Sequence, residues 1–410
     1  MTPPTVILDN GAYTIKAGLA PGAALLIPNA IARSKSTSYF GHELLRCPDH
    51  ASLTYRRPHD KGFIVDWDAQ KAIWDGASLL LTEPYHNLPN IQTVYDQFVF
   101  EEYQFPLTTG APPPRSSPPP SSAECSLIID SGFSFTYVVP LLHSRPYLPA
   151  LKRLDIGGKL LTNHLKELLS FRQWNMMDQT HITNHVKELC CFVSPSFSHS
   201  LEASRATPSP LTREYSLAEQ RLRLPGDTGG QVLVMNNERF SVPEIIFRPD
   251  DIGLNQLGLA GTVAASIALL PEDLQPMFWA NITLIGGNTK LPGFRERLLA
   301  DLRPLAPVEW DIEIHQTPDP ITAAYDAAQH LVASPAYKDL VVTRAEYLES
   351  GSNATRRKWG REDKEKDKDK GKEKEKEKEK EQRTRSRAGY HEEEIEPKEN
   401  THKNRAGACS

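Results

Sequence analysis

The sequence predicts an α/β fold in which two similar lobes face each other across a cleft. The opening stretch "TVILDNGAYTIKAGLA" has an apolar strand, a glycine turn and a second strand. Further on, "LIIDSGFSFTYVVPLL", residues 127–142, repeats this arrangement. Each unit places an aspartate near the end of a buried strand. The repeat is therefore best explained by duplicated lobes whose turns meet at one cleft.

Other stretches predict the elements that complete the lobes. The first hairpin is expected to carry Asp9 and Asn10 at its tip. "GGKLLTNHLKELLSF" and "HITNHVKELCCF" have helical apolar spacing, and "GLAGTVAASIALLPEDL" predicts a buried helix that stops near Pro271. "GQVLVMNNERFSV" predicts a hairpin that turns at Asn236 and Asn237. "ANITLIGGNTKLPGFRERLLADL" predicts a strand, a glycine turn and an amphipathic helix.

Composition divides the chain into lobes, a linker and a tail. Residues 108–122, "TTGAPPPRSSPPPSS", are too rich in proline for a helix or strand and predict an exposed loop. Residues 359–410 alternate lysine with acidic residues and predict a disordered charged tail.

Charge and cysteine content narrow the class of protein. From Arg356 to Ser410 the chain has 19 Lys and Arg against 15 Asp and Glu, which leaves 28 against 37 in the body. An acidic body argues against a general nucleic-acid binder. The cysteines have no CxxC spacing, and no segment is apolar enough for a signal peptide or a membrane span. A reducing compartment inside the cell is expected. The cysteines are Cys47, Cys125, Cys190, Cys191 and Cys409.

Four stretches resemble actin and the actin-related proteins, and they occur in the same order. These stretches are "LDNGAYTIKAG", "IIDSG", "GQVLVMNNERF" and "LIGGNTKLPGFRERL". The end of the body, "RAEYLESGSNATRRK", also resembles the end of that family. The resemblance covers roughly residues 5 to 358. It implies the actin-like, ribonuclease H-like duplicated fold, a two-lobed ATPase architecture. The first lobe would then be formed by residues 1–132 plus 316–358 and the second by residues 133–315.

Further stretches resemble one nuclear branch of the family. They are "NAIARSK", "YRRPHDKGFIVDWD", "FEEYQF" and "DIGGKLLTNHLKELLSFRQWNMMDQTH", the last spanning residues 155–181. Members of this branch belong to the remodeller that replaces a core histone with its variant. The resemblance implies a scaffold in the nucleus, and also in the cytoplasm, that affects transcription and chromosome stability. The implied partners are the motor ATPase and a small zinc-finger-type subunit, with nucleosome or histone contact only indirect and no membrane.

The resemblance also implies which residues would bind a nucleotide. In this family two Asp-Gly turns hold the phosphates and a hydrated Mg²⁺, so that ATP or ADP with Mg is the expected cofactor. Asp9 and Asp130 would hold the metal through water. The implied nucleotide-binding residues are Asp9, Asn10, Gly11 and Lys16 in the first turn, Asp130, Ser131 and Gly132 in the second, Lys187 and Glu188 beside the adenosine, and Gly286, Gly287 and Asn288 in a third loop.

Both phosphate turns depart from the family pattern. Ala12 and Tyr13 replace a serine and a glycine, which removes a phosphate donor and adds a ring where close backbone approach is needed. Phe133 stands where actins have a second carboxylate, and Ser134 replaces a glycine. Metal positioning is therefore expected to be weaker.

The residues that support hydrolysis in the family are also replaced. Tyr137 holds the position of the histidine, and a proline, either Pro113 or Pro106, falls where the glutamine should be. We predict negligible ATP hydrolysis. Nucleotide binding without turnover stays open, and the alternative is that Asp9 and Asp130 are only turn residues.

Three other interpretations have less support from the sequence. An active ATP-dependent enzyme, such as a sugar kinase or chaperone ATPase, would need an intact phosphate turn. A cytoskeletal actin-like protein would need a polymerising loop, but only "SKSTS" separates Arg33 from Tyr39, so we predict no filament. His181 and His185 have the spacing of metal ligands on a helix, yet no third ligand is evident, and ordinary helix residues are favoured.

Overall fold

A computed structural model describes residues 5–359 except 36, 48, 51, 75–87, 104–106, 109–123, 144, 225–226, 228 and 336. The predicted proline-rich loop, apart from Thr108, and the charged tail from residue 360 lie outside the described residues. Pro106 and Pro113 also lie outside them. The predictions for these segments therefore stay predictions.

The first lobe is built on an antiparallel sheet of three strands, Thr5–Asn10, Thr14–Ala20 and Leu25–Pro28. The helix Ala323–Ala333 packs on this sheet, although it lies three hundred residues further along the chain. Its Tyr325 is fully buried, and the tyrosine hydroxyl donates a hydrogen bond to the carbonyl of Gly22 at 3.2 Å. The C-terminal part of the body thus returns to the first lobe.

The second lobe contains a mixed sheet with Cys125–Ser131 at its centre. This strand pairs antiparallel with Thr136–Leu142 and parallel with Ile282–Ile285, which in turn pairs with Ile314–Gln316. The predicted boundary at residue 132 would assign Cys125–Ser131 to the first lobe, but its partners place the strand in the sheet of the second. The remaining strands of this sheet are Arg145–Pro146 and Lys152–Leu154.

Helices cover the second sheet and enclose the largest hydrophobic core. Gly158–Arg172 and Thr180–Cys190 pack on each other, as their apolar spacing predicts. Leu259–Ile267 is the predicted buried helix, and it ends before Pro271. The predicted strand, turn and helix near the end of the lobe are also present, with the helix at Phe294–Leu302. The confirmed elements therefore set the frame of the cleft.

Two turn predictions were wrong. Asn236 and Asn237 do not turn a hairpin, because Asn237 has helical backbone angles (φ −69°, ψ −24°) and leads from the strand Val232–Met235 into the helix Glu238–Glu244. Asp9 and Asn10 do not lie at a hairpin tip either. They are the last residues of their strand and pair with Lys16 and Ile15, so that residues 11–13 form the turn.

A short hairpin lies at the position where actins have the polymerising loop. Ile31–Arg33 pairs with Ser38–Phe40 in register up to Arg33 and Ser38, so only residues 34–37 connect the strands. None of the helices in the described part of the chain is long and apolar enough to cross a membrane.

The other described strands and helices form smaller units around these sheets. The other strands are Thr54–Arg56, His59–Asp60, Phe63–Ile64, Leu107–Thr108, Arg213–Ser216, Arg221–Leu222 and Val342–Thr343. The other α-helices are Trp67–Trp74, Pro89–Gln97, Phe197–Ser204, Gln275–Trp279, Tyr337–Leu340, Arg344–Ser350 and Asn353–Trp359, with a π-helical turn at Phe98–Glu102.

Candidate functional site

A cavity of about 570 Å³ lies between the two lobes. It is lined by all the predicted nucleotide-binding residues except Ser131. Ser131 is fully buried just behind the wall, where its hydroxyl lies 2.9 Å from the hydroxyl of Thr136. The structure therefore brings the predicted residues to one place, while their role in binding a ligand stays a prediction.

The first turn is tight, and an ion pair closes its base. Asp9 and Lys16 are opposite each other in the strand register, and their side chains meet at 2.9 Å between Oδ2 and Nζ. A side chain at Gly11 would place its Cβ 2.6 Å from the carbonyl oxygen of Thr14. Only glycine fits this turn without moving the backbone.

A buried amide network holds the first turn against the rest of its lobe. The Asn29 side-chain amide donates to Asn10 Oδ1 at 3.2 Å and to the carbonyl of Gly11 at 3.0 Å. Asn10 donates in turn to the hydroxyl of Tyr95 at 3.3 Å. Because buried polar groups are costly when unpaired, this network fixes the position of the turn.

The second turn carries a carboxylate in an unfavourable environment. Burial, together with the negative charge of Asp9, raises the pKa of Asp130 to about 6, while the nearby Lys16 partly offsets the effect. Tyr137, which holds the position of the family's histidine, pairs with Asp130 in the hairpin and lines the cavity. Lys16 pairs with Asp9, and the charges of both residues act on the carboxyl of Asp130.

The third turn is locked onto the second. Gly286 has φ +90°, and a Cβ there would lie 2.3 Å from the carbonyl oxygen of Ser131. The Asn288 amide donates to Ser131 Oγ at 3.2 Å and to the carbonyl of Gly132 at 2.8 Å. Both positions therefore need the residues that the sequence has.

Lys187 is the buried cation of the cavity wall. Its Nζ donates to the Gly158 carbonyl (3.1 Å), to Thr162 Oγ1 (3.0 Å) and to Asn184 Oδ1 (2.8 Å). Burial lowers the pKa of Lys187 to about 8, although the adjacent Glu188 opposes this change. With three neutral acceptors around it, the ammonium group is held in a fixed position.

Two aromatic residues meet where the phosphate turns face each other. Tyr13 in the first turn and Phe133 in the second have ring centroids 4.8 Å apart. The guanidinium of Arg57 lies over both rings, 4.4 Å from the centroid of Tyr13 and 5.3 Å from that of Phe133. The departures seen in the sequence are therefore neighbours in space and form one contact across the cleft.

The residues fit one half of a magnesium nucleotide better than the other. The cavity has the volume that a nucleoside needs, and its wall at Lys187, Glu188 and the third turn has fixed polar groups. At the phosphate turns, however, Asp9 is paired with Lys16 and an aromatic ring stands at position 133 in place of a carboxylate. The residues at the phosphate turns therefore do not fit the metal and phosphate half.

The two histidines four residues apart each have a tyrosine as a neighbour. His181 packs against Tyr55, and the Nδ1 of His185 lies 2.8 Å from the hydroxyl of Tyr215. Within the residues that the structure describes, no group of three or more His, Cys, Asp or Glu side chains is placed to hold a metal ion.

Three residues that line or support the cleft were not among those predicted from the sequence. Asn184 precedes Lys187 and Glu188 by one helical turn, and that spacing on a helix was a usable signal. Asn29 and Arg57 had no such signal, because each acts on turns far away in the sequence. Their roles depend on the folded arrangement.

The two sheets, the paired aspartate and glycine turns and the cavity between the lobes define the actin class of two-lobed proteins. The family model described as Actin matches residues 2–360. The chain belongs to the actin family.

Within that family the chain is similar to proteins named actin-related protein 6. It is 42% identical to "Actin-like protein ARP6" of Cryptococcus neoformans, over 88% of this chain and 85% of the relative. It is 35% identical to actin-related protein 6 of Arabidopsis thaliana, over 86% and 99% of the two chains. The Drosophila melanogaster protein of that name is 34% identical, over 84% and 97%. The predicted resemblance to actin-related protein 6 is confirmed.

Proposed function

We propose that the protein is a non-catalytic scaffold subunit of an ATP-dependent remodelling complex in the nucleus, which exchanges a core histone for its variant. The same protein is expected in part in the cytoplasm. Its partners would be the motor ATPase and a small zinc-finger-type subunit, with the nucleosome contacted through them. The effect on transcription and chromosome stability would follow from the exchange reaction of the complex.

The observation that carries this proposal is a set of apolar side chains exposed on residues 155–181. Phe171 is 92% exposed, Met177 46% and Trp174 42%. Large apolar side chains that cluster on a surface mark protein contacts. These three lie within seven residues of one another in the stretch that resembles the nuclear branch most closely.

The exposed segment is held in place by the chain itself. Gln173 accepts a hydrogen bond from the backbone N–H of Val234 at 2.7 Å and donates one to its carbonyl at 2.9 Å. The indole of Trp174 donates to the carbonyl of Val232 at 3.0 Å. A rigid apolar surface loses little entropy when a partner binds, which suits a permanent subunit.

The cleft supports the non-catalytic part of the proposal. Hydrolysis needs a metal held by carboxylates and a residue that orients water. Here Phe133 and Tyr137 occupy the two positions at which the family supplies such groups, and Phe133 is in contact with Tyr13. These replacements favour a structural role over an ATPase role.

Affinity purification of the tagged chain from nuclear extract at moderate salt, followed by mass spectrometry, tests the proposal. We expect a motor ATPase and histone-variant subunits to be recovered. The Phe171→Asp/Met177→Asp double variant should recover at least tenfold less of them. Val308→Asp is the matched control, because Val308 is 93% exposed elsewhere on the second lobe.

Two outcomes would contradict the proposal. Recovery of the chain without other subunits would refute the scaffold role. Equal recovery with the double variant and with Val308→Asp would refute the role of the exposed segment.

The alternative hypothesis of a filament protein is tested by sedimentation after addition of salt. Because only a short connection joins Arg33 to Ser38, we expect no polymer.

A further inference from the structure

Three groups of side chains cross the cleft and join the lobes directly. The first is the contact between the rings of Tyr13 and Phe133, 4.8 Å apart. The hydroxyl of Tyr13 also accepts a hydrogen bond from Asn184 Nδ2 at 2.9 Å. Tyr13 belongs to the first lobe, while Phe133 and Asn184 belong to the second. One residue thus reaches two elements of the opposite lobe.

Arg57 adds a cation to the same contact. Its guanidinium lies over the rings of Tyr13 and Phe133, and its Nη1 donates to the backbone carbonyl of Tyr13 at 3.4 Å. A cation over aromatic faces is attracted more strongly when water is partly excluded. Arg57 therefore links the two rings from the side of the first lobe.

The second group lies on the hairpin that follows Arg57. Asp60 forms an ion pair with Lys159 of the second lobe, 2.7 Å between oxygen and nitrogen. Gly62, at φ +76°, lies so close to Phe135 that an added Cβ would be 2.3 Å from the ring carbon Cε2. The hairpin tip is therefore in direct contact with the opposite lobe.

The third group is a stack of rings. His181 of the second lobe lies 5.2 Å from the ring centroid of Tyr55 with the planes 14° apart, and 4.7 Å from that of His50. The Nδ1 of His50 lies 2.9 Å from the hydroxyl of Tyr55. Aromatic contacts of this kind are specific in geometry, so they hold one arrangement of the lobes.

We infer that these contacts form a clamp that holds the cleft closed without any nucleotide. A ligand moves the balance between open and closed lobes only by its different affinity for the two states. If side chains already keep the closed state populated, a bound nucleotide has little further closure to supply. The clamp consists of Tyr13, Phe133 and Arg57 at its centre, with the contacts at Asp60, Gly62 and His181 beside them.

Hydrogen exchange of the full chain tests the clamp. The protein is treated with apyrase and EDTA, and the exchange of amides in residues 57–64 and 180–190 is compared before and after MgATP is added. For the wild type we expect a change of less than about twofold. For the Tyr13→Ser/Phe133→Ser double variant and for Arg57→Met, we expect exchange in both segments to rise about tenfold in the absence of nucleotide.

Two comparisons separate clamp loss from general destabilisation. Protection of the buried helix Leu259–Ile267 should stay at the wild-type level in each variant. Phe192→Ser is the matched control, because it removes a ring that Arg239 covers at 4.9 Å within the second lobe alone. Phe192→Ser should leave the exchange of residues 57–64 unchanged.

The inference is overturned by either of two results. One is a wild-type protein whose segments 57–64 and 180–190 exchange about tenfold faster without nucleotide and recover with MgATP. The other is a folded clamp variant that exchanges like the wild type. The first result needs no variant, and Arg57→Met, which keeps both rings, decides the second if the double variant fails to fold.

Discussion

Arg297 and Glu244 form a two-pronged ion pair inside the second lobe. The Nη1 and Nη2 atoms of Arg297 donate to the two carboxylate oxygens of Glu244 at 2.8 and 2.7 Å. Both side chains are almost fully buried. The pair joins the helix Glu238–Glu244 to the helix Phe294–Leu302, which contacts the third glycine turn.

Replacing Arg297 by leucine should therefore be costly. Glu244 would be left as a buried charge without its main partner, which typically costs about 3–5 kcal/mol in the free energy of unfolding. Urea denaturation measures this cost. The double variant Arg297→Leu/Glu244→Leu should recover at least half of the loss, because the charges that lose a partner, Asp301 and Arg248, are partly exposed to water.

The control for this prediction is Arg205→Leu. Arg205 pairs with Glu202 at 3.0 Å, but both side chains are well exposed. Such a pair contributes less than about 1 kcal/mol. Equal destabilisation by Arg297→Leu and Arg205→Leu would contradict the assignment of a structural role to the buried pair.

Gly62→Ala should destabilise the protein more than an ordinary glycine replacement. The positive φ alone costs about 1 kcal/mol, and the clash with Phe135 adds about 1–3 kcal/mol. Gly230→Ala is the matched control, since Gly230 has φ +83° with nothing within 4 Å of an added Cβ. Thermal melting of the two variants measures the difference. Melting temperatures that do not differ would mean that the hairpin does not pack on the second lobe.

The parts of the fold that the sequence predicts are those governed by local patterns. Apolar spacing fixed the helices Gly158–Arg172 and Leu259–Ile267, and a strand followed by aspartate and glycine marked both hairpins. The two asparagines at 236 and 237 have a turn composition that suits a hairpin or a helix start equally well. In the structure these residues lead into the helix Glu238–Glu244, which packs against the helix Gly158–Arg172. No local sequence pattern indicates that contact.

The candidate site divides along the same line. The glycine turns were recognisable because close backbone approach permits only one residue type at Gly11 and Gly286. Tyr13 and Phe133 were visible as departures, but their mutual contact was not, since 120 positions separate them. Arg57 completes that contact from a third place in the chain. Such associations depend on how the lobes meet, which no short stretch of sequence encodes.

Acid should weaken the protein partly through His181. Burial and the nearby His50, Arg57 and His185 lower the pKa of His181 from 6.5 to about 4. Between these values the unfolded chain binds the proton and the folded chain does not, so stability rises with pH across this window. The contribution is fully present above pH 6.5 and is lost as the pH falls toward 4. Allowing for partial exposure, we expect a loss of about 1–2 kcal/mol.

Urea titrations at several values of pH measure the effect. His181→Gln should lose less stability than the wild type between pH 6.5 and 4. His199→Gln should keep the wild-type slope, because His199 lies exposed on the helix Phe197–Ser204. Parallel slopes for the wild type and His181→Gln would show that His181 is not responsible.

The last prediction concerns turnover at the cleft. Phosphate release from MgATP should stay at the level of a buffer blank, because Phe133 and Tyr137 provide neither a metal-positioning carboxylate nor a base that orients water. Release well above the blank that disappears in Asp9→Ala would contradict this.

The variant Phe133→Asp separates nucleotide binding from turnover. It introduces the carboxylate that actins have at this position and removes the ring contact with Tyr13. In calorimetric titrations, we expect Mg²⁺ to strengthen nucleotide binding about tenfold more in this variant than in the wild type. Hydrolysis should stay at the blank, since Tyr137 still holds the position of the histidine.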